Sequence, residues 1–475
     1  MEKTNMFTPF RDIETKLVHC GERAVEGAVC LPVFQSVTFA SRPEDGYHDV
    51  RYIRLNNTPN HQLLHEKLAA IEGGEAALVT ASGMAAITTA LLTFLRVGDH
   101  LLAQDCLYGG THGFVTQELP ALGISCDFID GTDPDSWEGL LRPTTRVIYV
   151  ETMTNPLLGV ADLPAVIRFA RAHDLLSMID NTFATPVNFR PLEMGFDLSI
   201  HSGTKYLNGH DDIAAGCVIG RAEHVERIRH RLNHLGGSLD PHACFLLNRG
   251  LMTLALRVRQ QNSNALRLAR FLGGHSAVKR VIYPGLENHP QHTRAKELFQ
   301  GYGGVLAFEA RGGEEETSAL LGRLKIAVVA PSLGGVHTLV GLNPSYEVRL
   351  ADAGVVFSGL GPGGEVRIIE LTEPPFFVAT LFVPRPQVVD GGPHPIYAGL
   401  TEAVRKRRQR SDAVEQDRRA RAPRERRQRG ERADRERQTA HRYASLSQDR
   451  DRARAGVSAR RSTFPFGVRG SSSTR

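Results

Sequence analysis

A lysine and two hydroxyl side chains directly follow a short apolar run in the stretch DLSIHSGTKYLNGH, residues 197–210. The lysine is Lys205, and the hydroxyls before it belong to Ser202 and Thr204. A solvated surface lysine needs no strand to aim it, whereas a nucleophilic lysine must be held in a defined position. The pattern therefore indicates a lysine that is positioned for chemistry.

Further reactive groups follow other apolar runs that read as strands. They are Asp180 after LLSMID, Asn155 after RVIYV, Tyr108 after HLLAQ, and Gly83 with Met84 at a helix start after AALVT. If these strands share one parallel sheet, their carboxyl ends meet in one crevice. A helix N-terminus, hydroxyls, a carboxylate, an aromatic ring and a lysine together suit a phosphorylated, cationic heterocycle with an aldehyde. The residues point to pyridoxal 5'-phosphate as the cofactor.

Short apolar runs alternate with helical patterns through the first half of the chain. This alternation predicts an α/β fold with a mainly parallel central sheet that is covered on both faces. Residues 245–272 read as a long helical pattern, and KIAVVA (325–330) reads as a strand. We predict four parts, which are an extended arm (1–60), a cofactor-binding domain (61–245), a smaller C-terminal α/β domain (246–400) and a basic tail (401–475).

The amino-acid composition and the lengths of the apolar runs limit the classes of protein to which the chain can belong. The chain has 475 residues, of which 41% are hydrophobic and 46 are glycine. No apolar run approaches the roughly 18–20 residues of a membrane span, and the N-terminal residues lack the apolar core of a secretion signal. The six cysteines form no CxxC pair and read as reduced thiols of a cytoplasmic protein. The 19 histidines show no ligand spacing, so we expect no metal site.

The basic tail, residues 401–475, differs in net charge from residues 1–400. Residues 401–475 hold 22 Arg, one Lys and 10 acidic residues, a net charge of +13, and the rest of the chain carries −8. So few apolar residues predict a disordered or solvated segment. Such a segment could bind nucleic-acid backbones, although three aromatic residues offer little base stacking. We do not expect a nucleic-acid partner, and deletion of 401–475 would test that alternative.

Seven stretches together resemble the cystathionine γ-synthase and cystathionine β- and γ-lyase family of pyridoxal-phosphate enzymes. In order, these are YIRLNNTP, EGGEAALVTASGMAAI, DCLYGGTH, ETMTNP, IDNTFATP, HSGTKYLNGH and APSLGG. The resemblance implies a fold of the aminotransferase-like type (fold type I) and a cytoplasmic homotetramer of two dimers with shared active sites. It also implies a small sulfur amino acid as the substrate and no membrane partner.

The resemblance also implies a role for each matching residue. Lys205 would form a Schiff base with the cofactor and then move protons, and Tyr108 would stack on the ring and act as an acid or base. The other implied cofactor ligands are Asp180 at the pyridinium nitrogen, Gly83, Met84, Ser202 and Thr204 at the phosphate, and Tyr52 and Arg54 at the phosphate of a neighbouring subunit. The implied substrate contacts are Asn155, Ser332 and Arg367.

The chain departs from the family pattern in three places. The arm reads NNTP where relatives commonly have NPT, and His337 stands where many have a glutamate near the substrate. A histidine there can titrate near neutral pH. After Arg367 the usual serine, glycine and closing helix are missing.

The expected reaction is a transsulfuration step of the cystathionine lyase type, in which a carbon–sulfur bond is eliminated. The first alternative is γ-replacement, as in cystathionine γ-synthases or O-acylhomoserine sulfhydrylases. The second is an inactive relative that still binds the cofactor. Turnover of a sulfur amino acid would exclude the second alternative, and a panel of substrates would separate the two reactions.

Overall fold

The structure is a computed structural model that describes residues 10–44, 46, 50–311 and 314–342, together with the backbone of three strands between residues 356 and 380. The side chain of Arg367 and the predicted tail, residues 401–475, lie outside the described residues. None of the described helices combines the length and the hydropathy required to cross a membrane.

Helices and strands alternate along most of the described chain. The α-helices are Ile13–His19 (α1), Pro59–Glu72 (α2), Gly83–Phe94 (α3), Gly109–Gly113 (α4), Leu119–Ala121 (α5), Leu163–Ala172 (α6), Thr185–Asn188 (α7), Pro191–Met194 (α8), Ala222–Leu235 (α9), Pro241–Leu251 (α10), Leu254–Gly273 (α11), His292–Leu298 (α12) and Glu314–Leu321 (α13). The strands of the larger sheet are Ala76–Thr80 (β1), His100–Gln104 (β2), Ser125–Ile129 (β3), Thr145–Glu151 (β4), Leu176–Asp180 (β5), Leu198–Ser202 (β6) and Gly216–Gly220 (β7). Later strands are Val278–Ile282 (β8), Val305–Ala310 (β9), Val328–Val329 (β10), Leu339–Leu342 (β11), Val356–Leu360 (β12), Val366–Glu370 (β13) and Phe376–Thr380 (β14).

The larger sheet has the strand order β1-β7-β6-β5-β4-β2-β3. Strands β2 to β6 pair in parallel, whereas β7 lies antiparallel between β1 and β6. The predicted mainly parallel sheet is therefore confirmed. Strand β7 was not among the predicted strands. It lies between β1 and β6, and both run antiparallel to it, so β1 runs in the same direction as β6.

Alternate residues of the central strands supply two cores, one on each face of the sheet. In β4, Val147 and Tyr149 pack in the core that contains α3 and α9, whereas Ile148 and Val150 pack in the core that contains α2, α6 and α11. Successive strand residues point to opposite faces, so a strand that is covered on both sides must be apolar throughout. This burial explains why these strands read as continuous apolar runs.

Short-range signals set the ends of the helices around the site. The Ser82 side chain accepts a hydrogen bond from the N–H of Ala85 at 3.1 Å and caps α3. Helix α2 begins at Pro59 and ends before Gly73, which has a left-handed φ of 75°. The strand-to-helix turn that precedes α3 is therefore encoded locally.

A second sheet follows α11 and has the strand order β10-β11-β14-β9-β8. Only β10 and β11 pair in parallel in this sheet, and β12 and β13 form a separate antiparallel pair. The sheet follows the large one in the chain, as we expect of a smaller C-terminal domain. The boundary between residues 245 and 246 stays a prediction.

Three local predictions differ from the structure. The helical pattern over 245–272 breaks at Met252 and Thr253, because the carbonyl of Gly250 also accepts from the Thr253 hydroxyl at 3.3 Å and the Arg257 guanidinium at 2.9 Å. Of KIAVVA only β10 is strand. The predicted extended arm contains α1 and a 3₁₀ turn, Ile53–Leu55.

Candidate active site

Six strands of the larger sheet end at one edge. Strands β2 to β6 run parallel, and β1 shares their direction because β1 and β6 are both antiparallel to β7. The polar groups that follow these strands therefore collect at the carboxyl edge of the sheet, where open α/β sheets bind their ligands.

The start of α3 faces the end of β6 at close range. A Cβ added at Gly83 would lie 2.9 Å from the Cβ of Ser202, so the serine side chain lies directly against the first turn of the helix. The N–H groups of Gly83 and Met84 belong to that turn and have no acceptor within the helix. Unpaired amides beside a hydroxyl form a site for an anion such as a phosphate.

Thr204 is held differently from Ser202. Its hydroxyl donates to the carbonyl of Ala215 at 3.2 Å and accepts from the N–H of the same residue at 2.9 Å. These bonds join the turn after β6 to the residue that precedes β7. To donate to a phosphate, the hydroxyl proton of Thr204 would have to turn away from Ala215.

Two carboxylates stand side by side at the sheet edge. Glu151 and Asp180 are register partners on β4 and β5. Removal from water raises the pKa of both groups, and the charge of Asp180 raises the pKa of Glu151 further. Hydrogen bonds from Thr182, including its N–H to Asp180 Oδ1 at 2.9 Å, act against the rise at Asp180. Glu151 is thus the member that holds a proton more readily, and Asp180 is the better anion.

Tyr108 lies between the carboxylates and the start of α3. Its backbone N–H donates to Glu151 Oε1 at 2.6 Å. A Cβ added at Gly110 would lie 2.7 Å from Cε1 of the tyrosine ring and 3.0 Å from Sδ of Met84. The side chain is 47% exposed. The ring therefore lies near the anion site with part of its surface available for stacking.

The Lys205 side chain is half-buried and contacts a loop that is far from it in the sequence. Its Nζ donates to Oγ of Ser332 at 3.1 Å, in the segment between β10 and β11. Removal from water lowers the pKa of Lys205, and the negative charge of Asp211 opposes that effect. The structure thus brings together two predicted site residues that are far apart in the sequence.

The remaining predicted residues make other contacts, or their side chains lie outside the described residues. The Arg54 guanidinium lies 5.7 Å from the centroid of the Tyr52 ring and donates to the carbonyl of Asn233 on α9 at 2.9 Å. Asn155 follows β4 and precedes a cis peptide bond to Pro156. For Arg367 only the backbone, on β13, is described.

Two acidic residues of the site were not predicted as site residues. Glu151 directly follows the apolar run RVIYV, so the strand-end argument that identifies Asp180 also places Glu151 at the sheet edge, although no role was predicted for it. No sequence pattern indicates Asp211 as a site residue. Its side chain contacts His337, which lies on a loop far from it in the sequence.

The described residues fit pyridoxal phosphate. The amides of the first turn of α3 and a serine hydroxyl suit a phosphate, a carboxylate whose ionised form accepts hydrogen bonds from Thr182 suits a pyridinium nitrogen, and a half-buried amine suits an aldehyde. These groups come from separate strands, yet one edge of the sheet presents them all.

Comparison with known proteins agrees with this assignment. The family described as "Cys/Met metabolism PLP-dependent enzyme" matches residues 14–350. A probable cystathionine gamma-synthase of Herpetosiphon aurantiacus is 40% identical over 315 residues, which is 66% of this chain and 98% of the relative. A cystathionine gamma-lyase of Bacillus subtilis is 40% identical over 346 residues, which is 72% of this chain and 89% of the relative.

The fold has relatives among solved structures. The cystathionine gamma-lyase of Lactobacillus plantarum, solved with L-serine, superimposes with a TM-score of 0.71 and 31% identity. That match covers 79% of this chain and 95% of the solved one. The predicted aminotransferase-like fold and the predicted cofactor are thereby confirmed. The chain belongs to the family of pyridoxal-phosphate-dependent enzymes of cysteine and methionine metabolism.

Proposed function

We propose that this enzyme eliminates the carbon–sulfur bond of cystathionine or a closely related sulfur amino acid. The observation that carries the proposal is the contact of Lys205 Nζ with Ser332 Oγ, 3.1 Å, at the sheet edge that also bears Asp180 and the start of α3. When bound, pyridoxal phosphate supplies an electron sink that makes the α-proton of an amino acid acidic.

The protein groups around the cofactor would bind it at three points. The amides of Gly83 and Met84 and the hydroxyl of Ser202 would hold the phosphate, with Thr204 joining if its hydroxyl turns. Asp180 would carry the negative charge that keeps the pyridine nitrogen protonated, because hydrogen bonds from Thr182 favour its ionised form. The exposed ring of Tyr108 would cover the heterocycle.

Lys205 would accept the α-proton of the substrate and later return it. A lysine can accept a proton only in its neutral form, and the lowered pKa that its half-buried position causes favours that form. The hydrogen bond with Ser332 limits the positions that Nζ can take. We assign binding of the substrate α-carboxylate to Asn155, Ser332 and Arg367 as an expectation from the family.

Replacement at the γ-carbon is the second candidate function. The specific observation in its favour is that a relative described as a probable cystathionine gamma-synthase is as similar to this chain, at 40% identity, as a relative described as a cystathionine gamma-lyase. The two reactions share the α-proton step, so they differ in the group that leaves or attacks at the side chain.

We also propose that the enzyme works in the cytoplasm as a homotetramer of two dimers. Tyr52 and Arg54 would then reach the phosphate of a neighbouring subunit. All six cysteines are free, which fits a reducing compartment. Mixing an Arg54→Ala protein with a Lys205→Ala protein would test shared sites, because mixed dimers would regain activity only if each subunit completes the other's site.

The first experiment measures the visible absorption of purified protein beside Lys205→Ala and a control, Lys296→Ala, at an exposed lysine on α12. We expect a band that borohydride removes in the wild type and the control and that the Lys205 variant lacks. Steady-state assays with cystathionine, cysteine, methionine and O-acylhomoserine then separate elimination from replacement. A wild-type protein without the band would contradict the proposal.

A further inference from the structure

Two loops meet beside Lys205 and join a histidine to an aspartate. The first loop lies between β6 and β7 and contains Asp211, and the second lies between β10 and β11 and contains His337. Nδ1 of His337 lies 2.8 Å from Oδ2 of Asp211. The second loop also contains Ser332, which is bonded to Lys205, so the Asp211–His337 pair belongs to the active-site region.

The position of Asp211 is built into the backbone. Asp211 adopts a left-handed φ of 59°, which is uncommon for a residue with a side chain. A Cβ added at Gly335 would lie 2.3 Å from both oxygens of its carboxylate, so the carboxylate fills the space that this glycine leaves. The carbonyl of Gly335 accepts from the buried Gln261 side chain of α11 at 3.0 Å, which holds the second loop in place.

The contact determines which ring nitrogen of His337 is available. An ionised carboxylate can only accept hydrogen bonds, so Nδ1 carries the proton that is shared with Asp211. The other nitrogen, Nε2, then has a lone pair in the neutral ring and a second N–H in the cation. The histidine side chain is 62% exposed and that of Asp211 is 23% exposed, so the pair has a fixed inner end and an accessible outer end.

We propose that His337, oriented by Asp211, exchanges a proton with the sulfur atom that leaves or attacks at the substrate side chain. This inference rests on the proposed function and adds a catalytic residue to it. In elimination the carbon–sulfur bond breaks with its electrons going to sulfur, and the sulfur takes the proton from Nε2 and leaves as a thiol. In replacement on an O-acylhomoserine the bond between the γ-carbon and the ester oxygen breaks with its electrons going to the departing carboxylate, Nε2 takes the proton of the incoming thiol, and the sulfur forms the new bond to the γ-carbon. No electrons are gained or lost overall.

Other charged or titratable groups lie on the first loop and on the helix that packs against it, among the described residues. Lys205 and His210 lie on the first loop, and Asp212 on that loop accepts a hydrogen bond from Asn208 at 2.8 Å. The buried guanidinium of Arg257 on α11 interacts electrostatically with Asp211. His210 is exposed and bonds a backbone carbonyl rather than a carboxylate, at 2.7 Å, so it is a matched control for His337.

The experiment compares His337→Gln, His337→Ala and Asp211→Asn with the control His210→Gln, in protein loaded with pyridoxal phosphate. We expect kcat to fall about 100-fold in the His337 variants, while the visible band of the cofactor stays at its wild-type intensity. The pH–rate profile of the His337 variants should differ in shape from that of the wild type. Free imidazole should restore part of the activity of His337→Ala, because the vacated position is open to solvent. The control should keep wild-type kcat.

A second readout does not depend on turnover. Nitrogen-15 NMR of the protein without cofactor should show His337 with its proton on Nδ1 in the neutral form, and Asp211→Asn should alter that signal. A proton on Nε2 instead would overturn the inference. So would a His337→Gln variant that is as active as an active wild-type enzyme. A wild-type protein without turnover on any sulfur amino acid would instead contradict the proposed function.

Discussion

At the residue scale, the anion site depends on the absence of one methyl group at Gly83. A Cβ at that position would lie 2.9 Å from the Cβ of Ser202. We predict that Gly83→Ala separates α3 from the end of β6 and lowers pyridoxal phosphate affinity at least tenfold, with a stability cost of about 1–3 kcal/mol. Cofactor titration and urea denaturation measure the two effects.

The control for that variant is Gly113→Ala. Gly113 has helical dihedral angles, and an added Cβ would meet no atom within 4 Å. Alanine should therefore be neutral or stabilise the protein by up to about 1 kcal/mol, with unchanged cofactor affinity. Equal losses in both variants would show that the Ser202 contact does not matter.

Glu151 makes a second residue-scale prediction, which concerns pH. Burial and the charge of Asp180 raise the pKa of Glu151, so the native state keeps its proton at pH values where the unfolded chain has lost it. Stability of the wild type should therefore fall, relative to Glu151→Gln, as pH rises above about 4.5 towards the native pKa. Each unit by which the native pKa is raised contributes about 1.4 kcal/mol to this difference.

Urea denaturation of the cofactor-free proteins between pH 4 and pH 8 measures this difference. Near pH 4 the two proteins should be equally stable, because Glu151 is then protonated in both states. Glu118→Gln, at an exposed glutamate, should follow the wild type throughout. A difference between Glu151→Gln and the wild type that does not change with pH would refute the argument.

At the scale of elements, a buried ion pair joins the segment after α1 to α2. Lys67 is fully buried on α2, and its Nζ lies 2.9 Å from Oε1 of Glu22, just beyond α1. We predict that Glu22→Gln lowers the free energy of unfolding by about 3 kcal/mol, because it leaves a buried cation without its counter-ion. Thermal and urea unfolding give the measurement.

A neighbouring pair supplies the control. Arg23 and Glu66 join the same two segments, but both side chains are in contact with solvent. Glu66→Gln should cost less than about 1 kcal/mol, since exposed ion pairs contribute little. The double variant Lys67→Met with Glu22→Gln should recover part of the loss, and a failure to recover any would point to a packing effect.

At the scale of the whole molecule, Arg257 joins the long helix α11 to the loop that carries Lys205. Its side chain is 5% exposed, and it donates to the carbonyls of Tyr206 at 2.8 Å, Leu207 at 3.3 Å and Gly250 at 2.9 Å. We predict that Arg257→Met destabilises the protein by about 3 kcal/mol or more, because buried carbonyls lose their donor.

The same variant should weaken cofactor binding, since Tyr206 and Leu207 directly follow Lys205. Both effects can be followed by cofactor absorbance during urea unfolding. Arg259→Met, two residues along, removes an arginine whose partner Glu14 is at the surface, and it should change stability by less than about 1 kcal/mol. Undiminished cofactor affinity in Arg257→Met would contradict the proposed link.

Much of the site could be predicted because its residues follow strands that the sequence marks clearly. Asp180 ends β5, Lys205 and Gly83 come within three residues of the ends of β6 and β1, and the parallel arrangement of β5 and β6 brings the ends of these two strands together. The prediction was less successful where a short or interrupted pattern allows more than one structure. The break between α10 and α11 depends on hydrogen bonds to Gly250, which no local pattern indicates.

The sequence by itself determined the fold class and the cofactor, and it indicated which residues lie at the strand ends and helix starts, because these ends and starts are encoded within a few neighbouring residues. Only the tertiary structure decided the contacts between segments far apart in the chain. Gly83 meets Ser202, Glu151 meets Asp180, and Asp211 meets His337 because strand register and loop packing place them there. Such contacts arise from the packing of the whole chain, so no single stretch of sequence contains them.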